Sequence, residues 1–180
     1  MIYLFLADGF EEVEALTPVD YLRRCELEVK TVGVHGKMVR GSHGITVIAD
    51  CTMYDVELDQ AQMIILPGGM PGTLNLEKSR MLQGLIDLCT ERNIPIAAIC
   101  AAPSILGHKG LLEGKKATCF PGYEGELKGA RIVSEPVAVD GNYITACGAG
   151  AANPFAFAIA EYLLGKERAD KLADSVQWKK

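Results

Sequence analysis

The stretch Ile94-Pro95-Ile96-Ala97-Ala98-Ile99-Cys100-Ala101-Ala102-Pro103 decides how the chain folds. Its first half is a short apolar run, the pattern of a strand covered on both faces. Cys100 closes that run, and a helix is expected to open directly after it, over residues 101–106. A second apolar run, residues 62–66, ends at Pro67-Gly68-Gly69 and gives way to a helical stretch over 74–92. Strands and helices alternating in this way build a mostly parallel sheet with helices on both faces.

The same alternation continues in both directions. Toward the N-terminus, residues 2–7 read as a buried strand, 10–24 as a helix, 27–34 as a strand, and 45–49 as part of a hairpin reached through Gly41. Toward the C-terminus, 131–133 and 137–145 read as strands around the Asp140-Gly141 turn, and 151–164 and 166–174 as helices. The expectation is one doubly wound α/β domain spanning residues 1–180. With 49% hydrophobic residues the chain is too apolar for a disordered one. Its 18 Lys and Arg against 23 Asp and Glu give a net charge of -5, the wrong sign for neutralising phosphates, so nucleic acid is excluded as a partner. Residues 1–7 are apolar but lead into Asp8, Glu11 and Glu12 without a basic leader, which reads as a strand and not a signal peptide. No apolar run approaches the roughly 20 residues that span a bilayer. A soluble, cytoplasmic protein without membrane attachment is expected.

Ligands of such sheets bind beyond the carboxyl ends of the strands. Cys100 sits there, at a strand-to-helix step flanked by small residues, which is the layout of a nucleophile elbow. The alternative for any cysteine is a buried core thiol. A helix N-terminus at this point would stabilise the thiolate. The backbone N–H groups of Ala101 and of Gly69, in the neighbouring loop, could stabilise an oxyanion or an oxidised sulfur. The six cysteines are scattered without a Cys-x-x-Cys pair, so neither zinc spacing nor a secreted disulfide framework fits.

In Asp8-Gly9-Phe10-Glu11-Glu12-Val13-Glu14, the spacing of Asp8 and Glu11 reads as a capping box, with Glu11 and Glu12 as solvated first-turn carboxylates. Glu14 differs, because it lies on the stripe Phe10, Glu14, Thr17, Tyr21 among mostly uncharged side chains. Desolvation there, and a neighbouring thiolate, would raise its pKa. A protonated Glu14 could then donate a hydrogen bond to Cys100 or pass protons. A plain surface glutamate is the alternative. Gly68-Gly69 also reads as a simple turn, and Gly148-Ala149-Gly150 lacks the full dinucleotide fingerprint. His35, His43 and His108 show no metal spacing; His35 and His108 read as structural, and His43 stays open.

These residues together resemble the ThiJ/PfpI family, most closely its DJ-1 branch. The resemblance is carried by Asp8 through Ala15, Thr17-Pro18-Val19-Asp20 through Arg23-Arg24, Leu66-Pro67-Gly68-Gly69, Ala97-Ala98-Ile99-Cys100-Ala101-Ala102-Pro103, and Gly148 to Gly150 before an Ala-rich helix. Even Pro18, unfavourable inside a helix, recurs in that branch. The resemblance implies a flavodoxin-like fold, a homodimer, an oxidisable Cys100 hydrogen-bonded to a protonated Glu14, and an oxyanion pocket at Gly69 and Ala101. Family members are linked to oxidative-stress protection, to glutathione-independent conversion of methylglyoxal to lactate, and to a debated deglycase activity.

Two departures qualify that resemblance. Phe120, before Pro121, stands where the glyoxalase-active members have a histidine, and Ser42-His43 stands where many have an arginine after the serine. In the family the latter position reaches toward the partner's active site, so His43 is a candidate substitute proton carrier. The leading expectation is an enzyme that needs no cofactor and no metal and acts on a small aldehyde or α-oxoaldehyde. Cys100 would form the hemithioacetal, Glu14 would shuttle protons, and Gly69 and Ala101 would hold the oxyanion. The rival is a redox sensor or chaperone in which Glu14 stabilises a Cys100 sulfinate, and a weaker rival is an amidase or protease.

Overall fold

In the computed structural model, which describes residues 1–179, the opening apolar run forms β1 (Ile2–Leu6), buried along its whole length. It has neighbours on both faces, which is why its sequence does not alternate. α1 (Glu12–Arg24) carries the chain to β2 (Val29–Gly33), parallel to β1. An antiparallel hairpin of β3 (Met38–Arg40) and β4 (Thr46–Ile48) follows, and β5 (Cys51–Thr52) then extends the sheet beside β2. β6 (Met63–Leu66) pairs with the other side of β1. α2 (Gly72–Lys78) and α3 (Arg80–Glu91) lead to β7 (Ile96–Ile99), parallel to β6. After α4 (Pro103–His108) come a short ribbon of β8 (Lys116–Ala117) and β9 (Arg131–Ile132), and the hairpin of β10 (Val137–Asp140) and β11 (Tyr143–Ala146). α5 (Ala152–Leu164) and α6 (Lys166–Ser175) close the chain. The sheet runs β10-β11-β7-β6-β1-β2-β5, with β10 as its antiparallel edge strand.

Two cores lie on the two faces. Ile2, Leu4 and Leu6 pack with Ala97, Ile99, Ile144 and Ala146 against Ala15, Val19 and Leu22 of α1 and Phe155 and Ile159 of α5. Tyr3 and Phe5 point the other way with Ile64, Leu66, Ile96 and Ala98, onto Leu76 of α2, Leu82 and Ile86 of α3 and Ile105 of α4. The period-two split is the pleat of the strands. The doubly wound architecture expected from sequence is present. Among the described residues, no helix is long and apolar enough to cross a membrane.

Four local expectations are corrected. The stretch 74–92 is two helices, because Ser79 is extended and its hydroxyl caps α3 by accepting from the Leu82 N–H at 3.4 Å. The helix after Cys100 starts at Pro103 and not at Ala101, consistent with proline's preference for the first helical turn. Asp8 makes no capping box. Its Oδ1 accepts from the Arg40 N–H at 2.9 Å, so it ties β3 to the β1 loop, and α1 begins at Glu12 without a side-chain cap. Glu12 is not solvated but buried.

Candidate functional site

Cys100 occupies the turn between β7 and α4 with φ of +66°, a left-handed conformation that a non-glycine residue adopts only where its surroundings hold it there. The holding bonds are visible on both sides. Its N–H donates to Ala146 O at 2.9 Å, and its carbonyl accepts from the Phe120 N–H at 2.8 Å. The turn lifts the thiol away from the sheet to a partly exposed position, packed at the margin of the α1/α5 core. That is the elbow geometry inferred from sequence.

Glu14 comes to the same point from the first turn of α1. It is 1% exposed, adjoins Cys100 across Gly68, and accepts from the Gly68 N–H at 2.9 Å through Oε2. Gly68 is required by space, not by backbone angle. A methyl group there would lie 2.6 Å from both Cys100 Cβ and Glu14 Oε2. Gly69 has φ of +89°, and its amide, with that of Ala101, acts on the Cys100 thiol to draw its pKa down. Sequence placed the Gly69 and Ala101 amides at this site but missed the amide of Gly68; two adjacent glycines at a strand end were the available signal.

Burial pushes the Glu14 carboxyl up to about 7, against the lowering effect of its hydrogen bonds to Cys100 and Gly68. Burial likewise pushes the Cys100 thiol up to about 12, reinforced by the charge and hydrogen bond of Glu14 and only partly opposed by the two amides. The expectation that a helix N-terminus would favour the thiolate is therefore overturned. α4 starts three residues later and is one short turn and a half, while a carboxylate sits beside the sulfur. The two acids form a coupled pair that retains a proton at neutral pH.

The remaining candidates are placed as follows. Phe120 lies beside Cys100, about half exposed, with its ring against Gly148, where an added methyl would meet it at 3.3 Å. His43 is held elsewhere in the loop cluster, with Nδ1 at 3.1 Å from Glu12 Oε2 and 3.2 Å from Glu11 Oε2. The bond to Glu12 raises its pKa. Glu12 opposes its own burial by accepting from the His43 N–H at 2.9 Å and the Ile45 N–H at 3.2 Å, which hold its carboxyl below the usual range. Glu11, Glu12 and His43 bring ligand-type atoms within 4.8 Å of one another, a grouping that the sequence separation hid; Glu12 is already hydrogen-bonded to the His43 ring, and Glu11 accepts from the Ser42 hydroxyl at 3.0 Å. His108 bridges Glu77 and Glu126, the structural role expected of it. Gly148 caps a short turn into α5.

The profile of the DJ-1/PfpI family matches residues 1–162. The chain belongs to that family. It is 34% identical to Protein dj-1beta of Drosophila melanogaster over 173 residues, covering 94% of this chain and 92% of that protein. A Pyrococcus abyssi protein named as a deglycase is 30% identical over 149 residues, covering 80% of this chain and 87% of its own. The solved structure described as oxidized Toxoplasma gondii DJ-1 superposes with a TM-score of 0.95 at 32% identity, covering 99% of this chain and 98% of that one. The chain spans 39% of the length of Protein DJ-1 homolog B of Arabidopsis thaliana, to which it is 35% identical. This DJ-1/PfpI domain therefore has the flavodoxin-like fold and branch expected from its motifs.

Proposed function

We propose that this DJ-1-family chain protects against small reactive carbonyls, converting α-oxoaldehydes such as methylglyoxal in a glyoxalase- or deglycase-like reaction without a cofactor. The observation that carries this reading is the partly exposed Cys100, held at φ of +66° beside a buried Glu14. The sulfur bonds to the aldehyde carbon as Glu14 takes the thiol proton, giving a hemithioacetal. The amides of Gly69 and Ala101, which act on the Cys100 thiol, would hold the oxygen that gains charge. Glu14 then moves a proton from that carbon to its neighbour, and water releases the hydroxy acid and frees Cys100. A carboxyl raised to about 7 is suited to both directions of transfer near neutral pH. The deglycase-named archaeal relative supports the substrate class. The test is methylglyoxal turnover by the purified protein and by Cys100→Ser, with the background reaction of free thiols subtracted; unaltered turnover in the variant rejects the reading.

Phe120 in place of a histidine favours a second reading, in which Cys100 is chiefly a redox sensor whose oxidised form accepts a hydrogen bond from protonated Glu14. Wild-type protein without carbonyl turnover, but with Cys100 oxidised ahead of the other five cysteines, selects that reading.

We also propose that the chain acts as a homodimer. Val13, Leu16 and Ile45 form exposed apolar surface at α1 and the adjoining hairpin, and His43, 70% exposed, would serve there as a proton carrier for the partner's site. Six free thiols suit a reducing, cytoplasmic setting.

A further inference from the structure

Cys147 stands one residue beyond β11, next to the reactive cysteine. β7 and β11 pair in parallel with Ile99 opposite Ala146. The Cys100 N–H closes that last rung by donating to Ala146 O at 2.9 Å. On its other side Cys147 continues the strand line, its N–H donating to Pro136 O at 3.0 Å. Cys100 and Cys147 are therefore the next residues of the two strand lines, side by side just beyond the last rung. Neighbouring strands are about 4.8 Å apart, inside the roughly 4.4–6.8 Å range of Cα separations that a disulfide bridges. Strict alternation would send both side chains to the α3/α4 face, yet both thiols pack against the α1/α5 core. They leave the sheet on the same side. Both are also partly exposed.

The third thiol nearby does not share these properties. Cys119 adjoins Phe120, whose N–H donates to Cys100 O, but it is 5% exposed and packs in the opposite core. Cys119 is therefore a buried neighbour of Cys147, closed off from solvent where Cys100 is partly exposed.

We propose that Cys147 is the resolving thiol of Cys100, so that the chain reduces hydrogen peroxide through a Cys100–Cys147 disulfide. This rests on Cys100 being the reactive thiol of the proposed function, and not on its action on carbonyls. In the first step the Cys100 sulfur attacks one peroxide oxygen, the O–O bond breaks, Glu14 relays the thiol proton, and water leaves with Cys100 as a sulfenic acid. In the second step the Cys147 sulfur attacks the Cys100 sulfur, the S–O bond breaks, and a second water leaves. Two thiols are oxidised by two electrons and one peroxide is reduced to two waters. An external dithiol returns the disulfide to the starting state. A neighbouring thiol acts at an effective concentration of about millimolar or more, whereas over-oxidation of the sulfenate to a sulfinate needs a second peroxide. Resolution by Cys147 therefore wins while peroxide is scarce.

The experiment is peptide mapping of the full chain after one equivalent of hydrogen peroxide, with free thiols blocked and no reductant added. The expected product is a Cys100–Cys147 disulfide, reversed by dithiothreitol, with Cys100 sulfinate rising at least about tenfold in Cys147→Ser and Cys147→Ala. Wild-type protein that yields Cys100 sulfinate with Cys147 still blocked as a free thiol overturns the proposal while leaving Cys100 as the reactive thiol. A Cys119–Cys147 disulfide overturns it equally. Protein in which Cys100 is not oxidised at all overturns both this inference and the reactive-cysteine reading.

Discussion

Gly68 and Glu14 hold each other in place: the Gly68 N–H donates to Glu14 Oε2 at 2.9 Å, and the missing Gly68 side chain makes room for that oxygen. A single methyl group at position 68 would intrude on the carboxylate and on Cys100 at once. Gly68→Ala should lower stability by about 1–3 kcal/mol, the usual range for overpacking, and should reduce turnover by displacing the pair. Denaturant midpoints and carbonyl turnover check this. A Gly68→Ala variant as stable and active as wild type contradicts the contact.

The pH dependence of stability follows from Glu14. Its carboxyl is raised from 4.5 to about 7, so between those values the folded protein binds a proton that the unfolded chain has lost. The stability contributed by this proton is complete at the acid end of the window and falls as pH rises through it. At about 1.4 kcal/mol per unit the fall amounts to roughly 3 kcal/mol. Glu14→Gln should flatten that part of the profile. Denaturation measured at intervals across the window in both proteins checks it, and equal slopes would count against a buried, proton-holding Glu14.

Glu12 should govern the charge of His43. Its carboxylate accepts from both the ring and the backbone of His43, and the ring bond is the main cause of the raised His43 pKa. Glu12→Gln should return His43 toward the ordinary histidine value and speed amide exchange of Ile45 in the hairpin. Nuclear magnetic resonance titration reads both. A His43 titration unmoved by the change would show that Glu11 alone sets it.

Under the proposed reaction, Phe120 occupies a place where a third proton-handling group could act. Its backbone is bonded to Cys100 and its side chain is half exposed, so a histidine can replace it without opening the core. Phe120→His should raise carbonyl turnover, by up to about 10²-fold if the imidazole serves as a general acid or base. Turnover that stays flat would mean that proton transfer at this position does not limit the rate.

Much of this architecture is readable from sequence because it depends on local pattern. The run ending at Ile99 and the small residues after Cys100 define a strand and a sharp turn, and the burial of Glu14 follows from its place on the uncharged stripe of α1. What local pattern misreads depends on distant partners. Asp8 looks like a cap but binds Arg40, 32 residues away. Glu12 looks like a solvated first-turn residue but is buried by a hairpin 31 residues on. The direction of the Cys100 shift could not be read either, because it depends on how burial and the Glu14 charge weigh against two amides that come from different loops. The nearness of Cys147 to Cys100 appears only with the pairing of β7 and β11.

The central claim is that Cys100 and Glu14 act as one unit, and a double-mutant cycle on methylglyoxal turnover to lactate tests it most directly. Cys100→Ser and Glu14→Gln should each lower turnover by at least about 10²-fold, and the double variant should be little worse than either, as for groups that share one step. Additive losses, or turnover that survives Cys100→Ser, would contradict the account.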